Sequence, residues 1–335
     1  MHIGNTVTLG PIWAIVLAGG DGTRLRSLTQ DGAGNAIPKQ FCSLSGGASL
    51  LKQTLDRARS IVEWERITTV VSAAHRQHWE QPLRILAPAN LIVQPANRGT
   101  GIGILLPALR ILTREPAARI LILPSDHDVA DELVLEASMR AALVATACHT
   151  TGVALLGMEA HYPDPELGYI VPRPEAPTCL REIHRFVEKP AMQEAQRLCE
   201  QGALWNSFIF ACRAQSLIEL YRARCPEIVC RLEAVCAGDY NTLDEVYREL
   251  PQVDFSRQIA AGQERYLSVL PVPRCGWTDL GTPLRLAQAA ARHIKSGAGM
   301  PKASWSTPGD RINLAQRCMR GDATRDCPPQ SAATQ

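Results

Sequence analysis

The sequence lacks a long apolar run. No stretch approaches the roughly 18 consecutive apolar residues that a membrane-spanning helix requires. The apolar segment Ile12–Ala18 could pass for the core of a signal peptide, but no basic region precedes it and a glycine-rich loop follows it directly. We therefore interpret this segment as a buried strand, and we expect no membrane partner.

An excess of charge of one sign is also lacking. Lys and Arg together number 35 and Asp and Glu number 33, which gives a formal net charge of +2. Such a balance gives no general attraction for nucleic acid or for an anionic membrane. Hydrophobic residues make up 46% and charged residues 20%, as in ordinary soluble globular proteins. Any anionic ligand must be bound by local charges, and we expect no nucleic-acid partner.

The cysteines lack the spacing of a metal-binding or redox motif. There are 11 of them, an odd number, and none forms a Cys-x-x-Cys pair. Cys225, Cys230 and Cys236 lie close together in the sequence, but their spacing fits no zinc site. We expect reduced thiols and a cytoplasmic location.

Strand-like and helix-like segments alternate along the chain. The predicted strands are 12–17, 67–71, 91–94, 120–123, 153–158, 205–212 and 267–271. The predicted helices are 50–60, 102–113, 131–149, 191–201 and 283–296, with further helices up to about residue 250. This alternation predicts an α/β fold with a doubly wound, mostly parallel sheet covered on both faces. Between residues 163 and 177, repeated prolines indicate loops and short strands.

A glycine-rich loop follows the first predicted strand, with the sequence Leu17-Ala18-Gly19-Gly20-Asp21-Gly22-Thr23-Arg24-Leu25. Glycines let the backbone approach phosphate groups closely and point its N–H groups at their oxygens. The loop is not a P-loop, because no Gly-Lys-Ser/Thr follows, and it is not the dinucleotide motif Gly-x-Gly-x-x-Gly. Arg24 and Lys39 add two cations suited to phosphate. The loop and these cations predict a phosphate-binding site.

Six motifs in order resemble those of the sugar-1-phosphate nucleotidyltransferases, also called sugar-nucleotide pyrophosphorylases. They are the glycine loop with Pro38-Lys39-Gln40-Phe41, then Leu123-Pro124-Ser125-Asp126-His127, Gly168-Tyr169-Ile170, Phe186-Val187-Glu188-Lys189-Pro190, Trp205-Asn206-Ser207 and Gly276-Trp277-Thr278-Asp279-Leu280-Gly281. Gln40-Phe41 is similar to the mannose-1-phosphate guanylyltransferase branch. The resemblance spans residues 12 to about 290. It implies a Rossmann-like nucleotidyltransferase fold with added sugar-binding strands and helices.

The resemblance also implies a domain organisation. A nucleotidyltransferase domain is expected over residues 11–296, with a nucleotide-binding half of about 11–150 and a sugar-phosphate half of about 151–296. The remaining residues, 297–335, are rich in Pro, Gly, Ser, Thr and Arg, and we predict a disordered tail there. Because the chain ends before any cupin-like isomerase domain or long β-helix, we expect a single activity.

The implied reaction is attack by a sugar-1-phosphate oxygen on the α-phosphorus of an NTP, which expels pyrophosphate. We predict GTP and mannose-1-phosphate as substrates and GDP-mannose as product. Since two anions must meet, positioning and positive charge matter more than a covalent nucleophile. The resemblance assigns the catalytic role to Arg24 and Lys39. It assigns nucleotide binding to Leu17, Ala18, Gly19, Gly20, Gly22, Thr23, Asn97, Arg98, Gly99 and Thr100.

Two carboxylates are expected to hold a metal ion. Asp126 follows a short apolar strand, at the end where open α/β sheets bind ligands. Two carboxylates combined with phosphate oxygens suit Mg²⁺. By resemblance, Asp126 and Asp279 are the metal ligands and Mg²⁺ is the cofactor. The resemblance also assigns sugar-phosphate binding to Gly168, Glu188, Lys189 and Asn206.

The sequence departs from the commonest guanylyltransferase pattern at four places. Residues 94–103 stand in place of Glu-Pro-x-x-Arg-Asn-Thr-Ala-Pro-Ala, and residues 252–259 stand in place of Ser-Ile-Asp-Tyr-Ala-Val-Met-Glu. Phe208 stands in place of the glycine of Trp-Asn-Ser-Gly, and the loop at 31–37 is longer than usual. Two alternatives therefore stay open. One is the same chemistry with another base or sugar, such as glucose-1-phosphate, and the other is a catalytically silent, ligand-sensing relative. A homodimer also stays open.

Overall fold

A computed structural model describes residues 10–30, 34–44, 46–148, 152–174, 180–238 and 243–295. The predicted disordered tail lies outside the described residues, as does part of the loop at 31–37. Among the described helices, none is both long enough and apolar enough to cross a membrane.

The strands and helices alternate much as predicted. The described strands are β1 Ile12–Ala18, β2 Ile67–Ser72, β3 Leu91–Gln94, β4 Arg119–Pro124, β5 Val153–Glu159, β6 Gly168–Pro172, β7 Arg181–Glu188, β8 Leu204–Arg213 and β9 Ser268–Val272. The described helices are α1 Leu50–Arg59, α2 Arg76–Trp79, α3 Gly99–Arg114, α4 Glu132–Cys148, α5 Met192–Glu200, α6 Ala214–Arg224, α7 Pro226–Ala237, α8 Leu243–Glu249 and α9 Pro283–Lys295. A short π-helix, Phe255–Ala260, was not predicted.

The nine strands form one sheet in the order β3-β2-β1-β4-β8-β5-β9-β7-β6. The first four are parallel, with Ala14 of β1 opposite Ile67 of β2 and Leu121 of β4. The strand β8 then enters antiparallel to both β4 and β5. The predicted α/β fold is therefore confirmed, but the sheet is mixed and not mostly parallel. Its parallel part is the glycine-loop end of the order, and antiparallel pairings dominate the rest, because β8 enters between β4 and β5 in the opposite direction.

Burial explains why the central strands are continuous apolar runs. The central residues of β1 and all of β2 are buried, and β4 is buried from Ile120 onward. Strands covered on both faces have no solvent side, so they show no alternation of polar and apolar residues. The helix α3 packs with them through a largely buried apolar surface that includes Ile102, Leu105 and Leu109.

The chain divides into two compact units. The first comprises the described parts of Met1–Gly20, Leu51–Ser125 and Val129–Trp277, and it contains all nine strands. The second comprises the described parts of Asp21–Leu50, Asp126–Asp128 and the chain from Thr278. The second unit has an apolar core of its own, formed by Leu25, Leu28, Ile37, Cys42, Leu44, Leu50, Leu280, Leu286 and Ala289. The predicted division at about residue 150, into a nucleotide-binding half and a sugar-phosphate half, concerns which ligand each half binds, and it stays a prediction.

Candidate active site

The glycine loop begins where β1 ends, within the first unit. Ser125 donates to the carbonyl oxygen of Leu17 from its backbone nitrogen at 3.1 Å and from its hydroxyl at 2.7 Å. A Cβ atom on Gly19 would lie 3.0 Å from Oε1 of Gln94, whereas one on Gly20 would meet nothing within 4 Å. Gly19 therefore permits close packing against Gln94, and Gly20 leaves open space beside the loop backbone.

The second half of the glycine loop belongs to the second unit. Gly22 has a φ of 59°, and a Cβ atom there would lie 2.9 Å from the backbone nitrogen of Lys39. Both observations require glycine, because a side chain would strain the backbone and collide with a peptide. The residues Thr23–Leu25 form a 3-10 turn, and Arg24 is exposed on it.

The second unit also brings together Lys39 and both predicted metal ligands. Lys39 is only 5% exposed. Its ammonium group lies 2.9 Å from Oδ2 of Asp126 and donates to the backbone carbonyl of Asp279 at 2.7 Å. One lysine thus contacts two residues that lie roughly 150 positions apart in the sequence. The prediction that Asp126 and Asp279 belong to one site receives its geometric support here.

A backbone bridge holds these two acidic segments together. Asp128 and Thr278 form an isolated antiparallel bridge, with reciprocal N–H···O distances of 2.9 Å. The Asp128 carboxylate is itself buried and pairs with Nη2 of Arg292 at 3.0 Å and Nε2 of His293 at 2.7 Å. Because Arg292 and His293 lie on α9, this helix is tied to the segment that carries Asp126.

The carboxylate of Asp279 has a partner that sequence reasoning missed. Arg285 of α9 places Nε 3.0 Å from Oδ1 and donates from Nη2 to Oδ2 at 3.3 Å. The backbone N–H of Gly281 also donates to Oδ1, at 3.1 Å. Leu280, which lies between Asp279 and Gly281 in the sequence, is buried and has a φ of 52°. A non-glycine residue in this region costs on the order of 1–3 kcal/mol, so the surroundings of this turn impose its shape.

Five side chains make up what we call the charged cluster: Arg24, Lys39, Asp126, Asp279 and Arg285. Three are cations and two are carboxylates. Arg24 enters the set because its Nη1 would lie 3.1 Å from a Cβ atom on Gly281, a position that Nη2 of Arg285 also borders at 2.6 Å. A surplus of positive charge suits a polyanionic ligand such as a triphosphate.

The charges of the cluster keep Asp126 ionised. Desolvation acts to raise the pKa of this carboxyl group, but the charges of Lys39, His127 and Arg24 and the hydrogen bond from Lys39 outweigh it. The pKa of Asp126 therefore lies below its ordinary value of 3.8. An ionised carboxylate at neutral pH is the form that can coordinate a cation.

The donor atoms of the cluster fit Mg²⁺ as a partial site. Mg²⁺ prefers oxygen and is usually bound through one or two carboxylates together with substrate phosphates and water. Asp126 and Asp279 supply two such carboxylates, and the side chain of Asp126 is 41% exposed. In the described part of the chain, no group of three or more His, Cys, Asp or Glu side chains could hold a metal ion by itself. Phosphate oxygens would have to complete the coordination.

A second group of predicted residues meets in the first unit. Gly168 of β6 lies opposite Glu188 of β7, and a Cβ atom on Gly168 would lie 2.5 Å from Oε2 of Glu188 and 3.4 Å from Cβ of Asn206. Glycine is therefore required for the Glu188 carboxylate to occupy this position. Three of the four residues predicted to bind the sugar phosphate therefore lie together, and the fourth, Lys189, follows Glu188 with a φ of 50°.

The Glu188 carboxyl group holds its proton more tightly than usual. Desolvation and the negative charge of Asp254 raise its pKa above 4.5, and the charges of Lys189 and Arg257 offset this only in part. A titratable group perturbed both by desolvation and by specific neighbouring charges is a candidate for a functional site. Asp254 and Arg257 were not predicted as neighbours of Glu188, because the segment 252–259 departs from the family pattern.

The predicted nucleotide-binding stretch Asn97–Thr100 is occupied by contacts within the first unit. Arg98 donates to the carbonyl oxygens of Tyr247 at 2.7 Å and Arg248 at 2.9 Å. The Asn97 side chain accepts from the N–H of Gly99, and the Thr100 hydroxyl accepts from Phe255. These contacts position the start of α3; binding of nucleotide by this stretch stays a prediction.

Three departures from the family pattern pack against one another. A Cβ atom on Gly99 would lie 2.4 Å from the carbonyl oxygen of Val253, and one on Gly101 would lie 2.5 Å from the side chain of Val253. The ring of Phe208 lies 5.8 Å from that of Phe255, centroid to centroid. The departures at 94–103, 208 and 252–259 are therefore in contact with one another, and the glycines leave room for Val253.

Phe208 has a backbone conformation that favours glycine. Its φ is 59°, and it lies where the pairing of β5 with β8 shifts register between Leu155 and Gly157. A left-handed residue in a β-bulge is normally glycine. The side chain of Asn206 accepts from the N–H of Phe208 at 3.1 Å, so this bulge also fixes the orientation of a predicted sugar-binding residue.

The chain belongs to the nucleotidyl transferase family, whose match covers residues 13–296. The mannose-1-phosphate guanylyltransferase of Escherichia coli strain K12 is 30% identical over 304 residues, which cover 85% of this chain and 61% of that protein. The xanthan biosynthesis protein XanB of Xanthomonas campestris pv. campestris strain B100 is 29% identical, with 82% and 58% covered. The chain thus spans about three fifths of the length of these relatives. The predicted family is confirmed.

A solved structure supports the same assignment. A protein named mannose-1-phosphate geranyltransferase, from Thermus thermophilus, matches with a TM-score of 0.73 at 30% identity. The match covers 83% of this chain and 78% of that one. The agreement extends through most of both chains, so the fold of the whole described core is that of the family.

Proposed function

We propose that this protein transfers a guanylyl group from GTP to mannose-1-phosphate and releases GDP-mannose and pyrophosphate. An oxygen of the sugar phosphate forms a bond to the α-phosphorus of GTP, and the bond from that phosphorus to the bridging oxygen of pyrophosphate breaks. The observation that carries the proposal is the charged cluster, in which Lys39 links the carboxylate of Asp126 to the backbone of Asp279.

The cluster supplies what this reaction requires. Charge increases on the α-phosphoryl group as the new bond forms, and preorganised cations stabilise it. Lys39 is buried and held at two points, so it cannot move far, while Arg24 is exposed and can follow the phosphates. Mg²⁺, held by Asp126 and Asp279, would shield the phosphate charges and help to position the triphosphate.

The group around Glu188 is suited to the sugar. A carboxylate that shares its surroundings with Asn206 and the backbone of Gly168 offers acceptors for hydroxyl groups and discriminates between sugars that differ in hydroxyl position. Lys189 adds a positive charge for the sugar phosphate. Two relatives whose names specify mannose-1-phosphate support mannose as the sugar.

The alternatives differ in what they require of these residues. Another base or sugar is favoured by the mutual contacts of residues 94–103, Phe208 and 252–259, because Phe208 also contacts Asn206. A catalytically silent relative would have no use for an intact cluster of Arg24, Lys39, Asp126 and Asp279. The presence of all four favours an active enzyme. A cytoplasmic location, where NTPs and Mg²⁺ are plentiful, would match this chemistry.

An exchange of substrates tests the proposal directly. The purified chain is incubated with each of four NTPs and with mannose-1-phosphate, glucose-1-phosphate or galactose-1-phosphate, with Mg²⁺ or with EDTA. Pyrophosphate release and the mass of the nucleotide sugar are measured. We expect the fastest release from GTP with mannose-1-phosphate and none in EDTA. A faster pair would replace the proposed substrates, and no release from any pair by folded protein would establish the silent alternative.

A further inference from the structure

Arg285 is a buried cation to which no motif assigns a role. It lies in the first turn of α9 and is 5% exposed. Its guanidinium group faces the carboxylate of Asp279 at two points, with Nε 3.0 Å from Oδ1 and Nη2 3.3 Å from Oδ2. Of these two contacts, the one from Nη2 has hydrogen-bond geometry, and the one from Nε is a charge–charge contact.

The oxygens that Arg285 contacts are those a metal ion would use. Oδ1 of Asp279 also accepts from the N–H of Gly281 at 3.1 Å, so much of the carboxylate's capacity is already taken. Arginine does not lose its charge in proteins. A divalent ion at the same carboxylate would therefore be repelled by Arg285 for as long as the guanidinium group stays in place.

The position next to Arg285 is suited to an anion. A Cβ atom on Gly281 would lie 2.6 Å from Nη2 of Arg285 and 3.1 Å from Nη1 of Arg24. The atom nearest to that position is Oδ2 of Asp279, at 2.5 Å, so the carboxylate of Asp279 borders this glycine together with the two guanidinium groups. A phosphate group that took the place of this carboxylate would be contacted by two arginines.

We propose that Arg285 is a positioning residue that holds Asp279 before substrate binds and then exchanges this carboxylate for a substrate phosphate when Mg²⁺ arrives with the NTP. This inference rests on the proposed function, since it assumes that the cluster binds phosphate and metal. The exchange makes the empty site a weak binder of metal alone. It also makes metal and phosphate binding cooperative, because phosphate removes the cation that opposes the metal.

Binding measurements test the exchange without any need for turnover. Mn²⁺, which is visible by EPR, replaces Mg²⁺, and inorganic pyrophosphate serves as the phosphate probe. In Arg285→Met, we expect Mn²⁺ alone to bind about tenfold more tightly and metal-free pyrophosphate about tenfold more weakly, the scale of one charge-assisted contact. Asp279 should stay oriented in this variant, because the N–H of Gly281 still holds Oδ1. The ratio of the Mn²⁺ dissociation constants without and with pyrophosphate should therefore be smaller for Arg285→Met than for the wild type.

Arg26→Met is the matched control. Arg26 is exposed and lies in the same unit, so this variant loses the same charge without touching Asp279. Its Mn²⁺ affinity should equal that of the wild type. If Arg285→Met fails to fold in a thermal melt, Arg285→Gln also removes the charge but keeps an N–H donor for Asp279, and its Mn²⁺ affinity should rise.

The outcomes separate this inference from the proposed function. If the wild type binds neither Mn²⁺ nor pyrophosphate, the phosphate and metal site, and the proposed function with it, is wrong. If the wild type binds both and a folded Arg285 variant binds Mn²⁺ with unchanged or weaker affinity, only the exchange is overturned. In an Asp279→Asn background, removal of Arg285 should no longer tighten Mn²⁺ binding, and a persistent effect would show that Arg285 does not act through Asp279.

Discussion

The ammonium group of Lys39 lies 2.9 Å from a carboxylate oxygen of Asp126, and it also donates to the backbone of Asp279. Lys39 therefore does more than offer a charge to phosphate. It sets the spacing between two acidic segments that are distant in the sequence, and it keeps Asp126 ionised. The residue that we expect to stabilise the transferring phosphoryl group is thus also the residue that organises the proposed metal site.

Lys39→Met should reduce kcat by about 10²-fold or more, the scale expected when one preorganised charge-stabilising group is lost. The side chain of methionine fills much of the same space, so the backbone of the turn should persist. Lys52→Met is the control, because Lys52 is partly exposed on α1 and pairs with Asp56 of the same helix. The measurement is the steady-state kcat of each variant, compared with that of the wild type. A Lys39 variant with near-normal turnover would remove Lys39 from the mechanism.

Much of the fold was predictable because its signals are local. The central strands β1 and β4 are buried apolar runs, and the predicted strands 12–17 and 120–123 agree with them to within one residue at each end. The antiparallel insertion of β8 between β4 and β5 was not predictable, since pairing between distant strands leaves no local pattern.

The residues of the candidate site likewise divide into those that local motifs identified and those that they missed. Lys39, Asp126 and Asp279 were identified through their motifs, and the structure brings them together. Arg285 and His293 were missed because each occupies an ordinary position of a helix, and their acidic partners become neighbours only on folding. The Asp-His-Asp sequence at residues 126–128 was the available signal for a second carboxylate beside Asp126, but it does not indicate Arg292 or His293 as partners.

At position 208, the glycine variant should be more stable than the alanine variant, the reverse of the usual order in a strand. In a strand, glycine is normally less stable than alanine by about 0.5–1 kcal/mol. At a φ of 59°, however, alanine keeps a conformation that costs about 1–2 kcal/mol and glycine does not. We therefore expect Phe208→Gly to unfold at a higher urea concentration than Phe208→Ala, although both lose the ring contacts with Phe210 and Phe255.

The matched control for Phe208 is Phe210, a buried residue of the same strand that does not have a positive φ. There, the alanine variant should be the more stable of the two in the same urea titration. If Phe208 and Phe210 rank glycine and alanine in the same order, the backbone at Phe208 is not strained.

His293 should make stability depend on pH. The hydrogen bond to Asp128 and the charge of that carboxylate raise the pKa of His293 above 6.5, against the opposing effects of desolvation and of Arg292. The folded state thus binds the proton more tightly than the unfolded state. The stabilisation is full below pH 6.5 and is lost as the pH rises through the folded-state pKa.

The measurement compares the free energy of unfolding of the wild type and of His293→Gln across this range. The difference should be largest in mildly acidic buffer and should shrink as the pH rises. His184→Gln is the control, because it removes an exposed histidine from a different element, β7. A difference between the wild type and His293→Gln that grows with pH would mean that His293 is not stabilised in its charged form.

Asp126 and Asp279 should act as a unit, because one metal ion would need both. Losing either carboxylate should weaken the metal and, with it, the shielding of the α-phosphate, so that Asp126→Asn and Asp279→Asn each lower kcat by about 10²-fold or more. The double variant should then be little worse than the poorer single variant, since residues that work together give non-additive losses. In thermal melts, Mg²⁺ with GTP should stabilise the wild type and the control Asp56→Asn, an exposed carboxylate on α1, but not the two single variants. Losses that multiply in the double variant, together with metal-dependent stabilisation retained in both singles, would show that the two aspartates do not share an ion.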